Sequence, residues 1–93
     1  MNRCVIIDRY LSNRSLSKQL QLISRTDTTI ILLQDAVRMA QTGSSTAALL
    51  SQHSQVYLLE SDQQAQGVSS SWPSISMDDV IMKTATHDIV LCL

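Results

Sequence analysis

The sequence predicts an α/β domain in which helices cover both faces of a mainly parallel β-sheet of four to five strands. Residues 29–33 form an almost unbroken apolar run, which is typical of a strand buried on both faces. After Gln34 the apolar positions change to helical spacing, at Ala36, Val37 and Ala40. The same succession of strand and helix recurs along 93 residues, the length of one domain, so a covered parallel sheet is expected over residues 1–93.

The other elements follow the same signals. Strands are predicted at residues 4–7, 29–33, 55–59, 74–77 and 89–93, with Ile31 and Leu33 fully buried at the sheet's centre. One helix is indicated by Leu16, Leu20 and Ile23, and ends in a break at residues 26–28. Further helical segments are expected at residues 46–52, at residues 62–66 and after Asp78, where the last helix carries Val80, Ile81 and Ala85.

Two residues are predicted to shape helix ends. Asp35 stands directly after the central strand, where an N-cap carboxylate would accept hydrogen bonds from the first turn of the next helix. Gly67 follows the short helix at residues 62–66 and suits a left-handed C-cap. Both are interpreted as structural residues of a turn or cap.

The composition indicates a protein partner rather than a nucleic acid or a membrane. Hydrophobic residues make up 44% of the chain and charged residues 16%, with a formal charge of −1. Apolar surface left exposed on a small domain usually marks an interaction site, and alone the chain is expected to self-associate, most simply as a symmetric dimer. A net charge near zero gives no excess of positive charge that would bind nucleic acid or anionic lipid. No signal peptide or membrane-spanning run is visible, so a cytoplasmic location is expected.

Two cysteines are the candidates for thiol chemistry. Cys92 lies near the carboxyl end of a predicted strand, where α/β sheets bind ligands, and could carry a persulfide. The carboxylate of the following residue, Leu93, would raise the pKa of that thiol, and the competing interpretation is a small apolar residue in a strand. Cys4 starts the first strand and is expected to pack. Opposite ends of parallel strands would place the two thiols beyond disulfide reach.

Other site types have weaker support. Asp8 and Asp35 follow adjacent strands and could hold Mg²⁺, but a helix cap and a loop residue are the preferred interpretation, so no metal or cofactor is expected. His53 and His87 lack zinc spacing, and His87 suits the end of a helix. Trp72, in a Ser-rich loop, either covers its own domain or anchors a partner at an interface, and both alternatives stay open.

Three motifs resemble one family of sulfur-relay proteins, called TusB, or DsrH in sulfur-oxidising bacteria. LLQDAV, residues 32–37, is similar to the family signature LLQDGV, with Ala36 in place of its glycine. VYLLESDQQAQG, residues 56–67, resembles a strand and an Ala-Arg-Gly ending, with Gln66 replacing the arginine. VIMKTATH, residues 80–87, is similar to the family's last helix. The order and spacing of the motifs make the resemblance fairly specific.

The resemblance implies a three-layer α/β/α fold of the DsrE/F/H-like type, with strand order 4-3-2-1-5. It implies a subunit without catalytic residues of its own, assembled with TusC-like and TusD-like subunits in a heterohexamer. Such a complex takes persulfide sulfur from TusA and passes it, with TusE, toward 2-thiolation of the wobble uridine of tRNA. The essential cysteine belongs to the TusD-type subunit. DsrH-type members carry a cysteine in the first helix, and residues 16–20 here have none. The alternatives are a stand-alone persulfide carrier using Cys92 and a DsrEFH-like subunit in sulfur oxidation.

Overall fold

Five parallel strands form a single sheet in the order β4-β3-β2-β1-β5, in a computed structural model that describes residues 3–22, 28–53 and 55–93. The predicted α/β class and strand order are therefore confirmed. The strands are β1 (Arg3–Ile7), β2 (Thr28–Leu32), β3 (Gln55–Leu59), β4 (Ser74–Ile75) and β5 (Ile89–Cys92). The predicted helix residue Ile23 and the break at residues 26 and 27 lie outside the described residues.

Within the described residues, five helices connect the strands, and the helices and the sheet together form three layers. The helices are α1 (Asn13–Gln21), a 3-10 helix (Gln34–Ala40), α2 (Ser45–Leu50), α3 (Glu60–Gln66) and α4 (Met77–Thr86). From β1 to β4 the chain moves across the sheet in one direction, so right-handed crossovers place the first four helices on one face. The step from β4 to β5 reverses this direction, so α4 covers the opposite face.

The central strand β2 is buried at all five positions. Its neighbours are β1 and β3, and the register places Ile30 between Val5 and Val56. The predicted full burial of Ile31 is found, but that of Leu33 is wrong, because Leu33 is only half-buried. β2 ends at Leu32, and the chain turns at residue 33 into the 3-10 helix, which carries the Leu33 side chain away from the centre.

The two faces of the sheet bury different amounts of apolar surface. On the face of α1, the core joins the sheet to Leu16 and Leu20 of α1 and to Leu50 of α2. The core beneath α4 is smaller and consists of Cys4, Ile31, Leu59, Ile75 and Val80. Val80 is the only α4 side chain in the buried class. A ten-residue helix that buries one side chain leaves apolar surface on this side of the molecule.

The turn after β2 differs from the prediction for Asp35. The 3-10 helix begins at Gln34, so Asp35 lies inside its first turn and is not the N-cap; Leu33 occupies that position without a side-chain cap bond. The Gln34 N–H instead donates to Asp62 Oδ2 at 2.7 Å, and Asp35 Oδ1 accepts from Gln66 Nε2 at 3.0 Å. Asp62 thus accepts a backbone N–H at the helix start, as was expected of Asp35, and the two bonds together attach α3 to the 3-10 helix.

Gly67 lies at the C-cap of α3, with φ 64° and ψ 36°. This left-handed conformation lets the Val68 N–H donate to the Gln63 carbonyl at 3.1 Å, which closes the helix end. Gln34 is the non-glycine residue with a positive φ, 52°, in the described part of the chain, so Ala36 in the LLQDAV motif keeps an ordinary backbone conformation.

Candidate functional site

Cys92 ends β5, a strand at the edge of the sheet. It pairs in register with Ile6 of β1, and its side chain is exposed and free. An exposed thiol on an edge strand is accessible to a partner protein or to a small sulfur donor. The Cys92 thiol is therefore accessible for the persulfide chemistry considered in the sequence analysis.

Cys4 has the opposite environment. Its side chain is fully buried beneath α4, in the core with Ile31 and Val80. Burial raises the pKa of the Cys4 thiol above its ordinary value of 9.0, the neighbouring Cys92 raises it further, and only Lys83 acts to lower it. A thiol in this environment stays protonated and packs as a small apolar side chain.

The two cysteines occupy the same face of neighbouring strands but are displaced along them. Cys4 pairs with Val90, two residues before Cys92 on β5. With strands about 4.8 Å apart and a rise of about 3.3 Å per residue, this diagonal separates the Cα atoms by about 8 Å. Disulfides need Cα atoms within about 6.8 Å. Both cysteines are free, as this geometry requires.

A row of polar side chains crosses the sheet beside Cys4. Thr29, level with Cys4 in the β1–β2 register, donates from Oγ1 to Gln55 Oε1 at 2.7 Å. His87, just after α4, places Nε2 3.1 Å from Thr29 Oγ1 and Nδ1 against the Lys83 carbonyl oxygen. These bonds hold the C-terminal end of α4 on the central strand, which gives His87 a structural role at the helix end.

An open groove of about 380 Å³ runs along α4 on the side of β3 and β4. Its lining residues are Tyr57, Ile75, Asp79, Met82, Lys83 and Thr86. The Lys83 ammonium lies over the Tyr57 ring, 4.2 Å from its centroid, so this cation is held by a cation–π contact. The groove brings one cation and one carboxylate to a mostly apolar hollow, which is typical of a contact surface rather than of a nucleophilic centre.

The outer surface of α4 is the feature that the sequence analysis missed. Ile81 was expected with Val80 among the helix's apolar positions, but its side chain is 58% exposed, and those of Met77 and Met82 are 50% and 65% exposed. The signal was present in the sequence, because a helix with Val80 inward turns position 82 outward and position 81 to the side, while Met77 is exposed as the first residue of the helix. Its inward side could only be fixed by the packing of α4 on β1 to β3.

Trp72 packs on its own domain. Its half-buried side chain contacts the core on the α1 face and lines an open hollow with Ala40, Ala47 and Ala48. Its backbone N–H donates to Ser70 Oγ at 3.2 Å. The partly exposed indole edge is the part that a partner could reach, so its predicted role as an interface anchor stays a prediction.

In the part of the chain that the structure describes, no group of three or more His, Cys, Asp or Glu side chains could hold a metal ion. Asp8 and Asp35 follow β1 and β2, and the Asp35 carboxylate is engaged with Gln66. Among the same residues, no helix has both the length and the apolar character needed to cross a membrane.

Comparison with known proteins gives a family match and matches among solved structures. The family model described as DsrH-like protein matches residues 11–90. Among solved structures, the fold is similar to that of the ychN protein from E. coli, with a TM-score of 0.72 and 19% sequence identity over 100% of both chains. At that identity the likeness concerns the fold. The search among curated proteins found no match.

Proposed function

Because this chain belongs to the DsrH-like family of sulfur-relay proteins, we propose that it is a non-catalytic subunit of a cytoplasmic sulfur-transfer complex. The proposed complex contains TusC-like and TusD-like subunits in a heterohexamer and relays persulfide sulfur toward 2-thiolation of the tRNA wobble uridine. The family match supports the relay, and the environment of Cys4 supports the non-catalytic role.

The observation that carries this proposal is the environment of Cys4. A persulfide carrier needs a thiol that a donor can reach and that ionises near neutral pH. Cys4 is fully buried and its pKa is raised. The first helix, α1, contains no cysteine at all. Neither Cys4 nor α1 therefore offers such a thiol, which supports a role in which this chain supplies surface to the assembly, and exposed Cys92 is the one alternative thiol.

Exposed apolar side chains support the subunit role independently. Met77, Ile81 and Met82 of α4 and Val90 of β5 are 41–65% exposed on a domain with few charges. Exposed apolar clusters of this kind mark interaction sites. The expected assembly buries well over ~1,000 Å² in each contact.

One observation favours a second candidate, the stand-alone carrier, because the Cys92 thiol is exposed. Intact-mass measurement after incubation of the isolated protein with a persulfide donor separates the two. The subunit proposal predicts no stable addition of one sulfur atom to Cys92. A stoichiometric addition that disappears in Cys92→Ser, and that is passed on to an acceptor thiol, would establish the carrier instead.

A further inference from the structure

The outward surface of α4 combines apolar side chains with negative charge. Met82 is 65% and Ile81 58% exposed, and the first turn of the helix adds exposed Asp78 and Asp79. The single cation of α4, Lys83, is held over the Tyr57 ring. A complementary partner would have to present apolar and positively charged side chains together.

The outward surface of α1 has the matching character. Arg14, Lys18 and Leu22 follow one another at four-residue spacing, so they form one line along the helix. Arg14 and Lys18 are exposed, and α1 contains no Asp or Glu. Leu22, its C-cap, is 79% exposed, the largest value among the exposed large apolar residues of the described chain.

We propose that α1 of one copy docks alongside α4 of a second copy, with the two helices parallel. Lys18 and Leu22 are four residues apart, and so are Asp78 and Met82, a distance of about 6 Å along either helix. In parallel alignment Lys18 faces Asp78 while Leu22 faces Met82. The contact therefore combines an ion pair with an apolar pair. The same chain carries both the α1 surface and the α4 surface that form it.

The two surfaces lie on opposite faces of the sheet, so the contact is head-to-tail. A twofold pairing of α4 with α4 would offer Asp78 no cation of that helix except Lys83 of the other copy, which is engaged with Tyr57. A head-to-tail contact leaves an unused α1 at one end and an unused α4 at the other. Such contacts build rings or filaments of more than two copies, in place of the symmetric dimer expected from composition.

Charge reversal tests the contact by sedimentation velocity of the full chain over a range of concentrations. The wild type is expected to associate beyond a dimer. Lys18→Glu alone and Asp78→Lys alone are each expected to weaken association about tenfold or more, because each turns an attraction into a repulsion. The double variant Lys18→Glu with Asp78→Lys is expected to recover association, and so is a one-to-one mixture of the two single variants.

A matched control places one new charge elsewhere. Ala65→Glu changes an exposed residue of α3 and is expected to associate like the wild type. Circular dichroism checks that each variant is folded. The salt dependence of wild-type association needs no variant, and association should weaken as salt screens the ion pair. A monomeric wild type at all concentrations, unaffected single variants, or a double variant as weak as the singles would each overturn the proposal.

Discussion

The Nε2 atom of His87 lies 3.1 Å from Thr29 Oγ1, across 58 residues of sequence. This contact joins the end of α4 to the central strand, and the Lys83 carbonyl at the other ring nitrogen completes it. Val80 is the only buried side chain of α4, so the hydrogen bonds of His87 contribute much of the attachment of α4 to the sheet.

Loss of this anchor should be measurable in the free energy of unfolding. Thr29→Val keeps the shape of the side chain but removes a partner of both His87 and Gln55, so we expect a loss of about 1–3 kcal/mol. The control is Thr84→Ala on the same helix, whose hydroxyl bonds only to the Ile81 carbonyl near the surface. That variant should stay within about 0.5 kcal/mol of the wild type in urea titrations. Equal losses in both variants would contradict the anchoring role.

The burial of β2 predicts a contrast between adjacent leucines. Leu32 is fully buried, and Leu32→Ala should cost about 2–5 kcal/mol through the cavity that it leaves. Leu33 is half-buried after the end of the strand, so Leu33→Ala should cost clearly less. Urea midpoints report both values at once. A larger shift for Leu33→Ala than for Leu32→Ala would show that the strand ends later than described.

These residues also show how far the sequence could lead. The apolar run at residues 29–33 was enough to place the central strand, because a short, β-branched apolar run is typical of a strand covered on both faces. The run could not show where the strand ends, since the turn depends on the bond from the Gln34 N–H to Asp62 in a distant segment. The role of Thr29 as a hydrogen-bond partner of His87 could not be predicted for the same reason, because His87 is distant in the sequence.

The candidate site was likewise predicted from the sequence only in part. The sequence identified both cysteines, but the burial of Cys4 and the exposure of Cys92 follow from β5 lying at the edge beside β1. The outward orientation of Ile81 depends on which side of α4 meets the sheet. The spacing of apolar residues alone could not show whether Val80 or Ile81 faces inward. The exposure of the cysteines and the orientation of Ile81 both depend on contacts between distant segments. Such contacts cannot be read directly from a single sequence.

Gly67 gives a test of backbone conformation free of packing. A Cβ atom at Gly67 would meet nothing within 4 Å, so Gly67→Ala changes only the strain of the left-handed conformation. We expect a loss of about 1–2 kcal/mol in thermal or urea unfolding. Gly67→Asn should lose less, because asparagine tolerates this conformation better. An alanine variant as stable as the wild type would rule out the left-handed C-cap.

The raised pKa of Cys4 predicts a loss of stability in alkali. The unfolded thiol ionises around pH 9.0 and the buried thiol only above that, so the unfolded state binds fewer protons as the pH passes 9.0. The stabilisation by the protonated buried thiol is therefore complete below pH 9.0 and decreases as the pH rises toward the folded pKa. In urea titrations from pH 7 to pH 10, Cys4→Ala should show a shallower alkaline decline than the wild type. Identical declines would refute the assignment to Cys4.

The non-catalytic role is tested most directly by sulfur transfer in the complex reconstituted with TusC-like and TusD-like subunits. The measurement is the rate of sulfur delivery with wild-type chain, Cys4→Ala, Cys92→Ser and the double variant, with assembly checked by gel filtration. Rates within about threefold of the wild type are predicted for all three variants, because the proposed function places the reacting thiol in another subunit. A loss of about a hundredfold with Cys92→Ser in an intact complex would contradict this, and would make Cys92 a persulfide carrier.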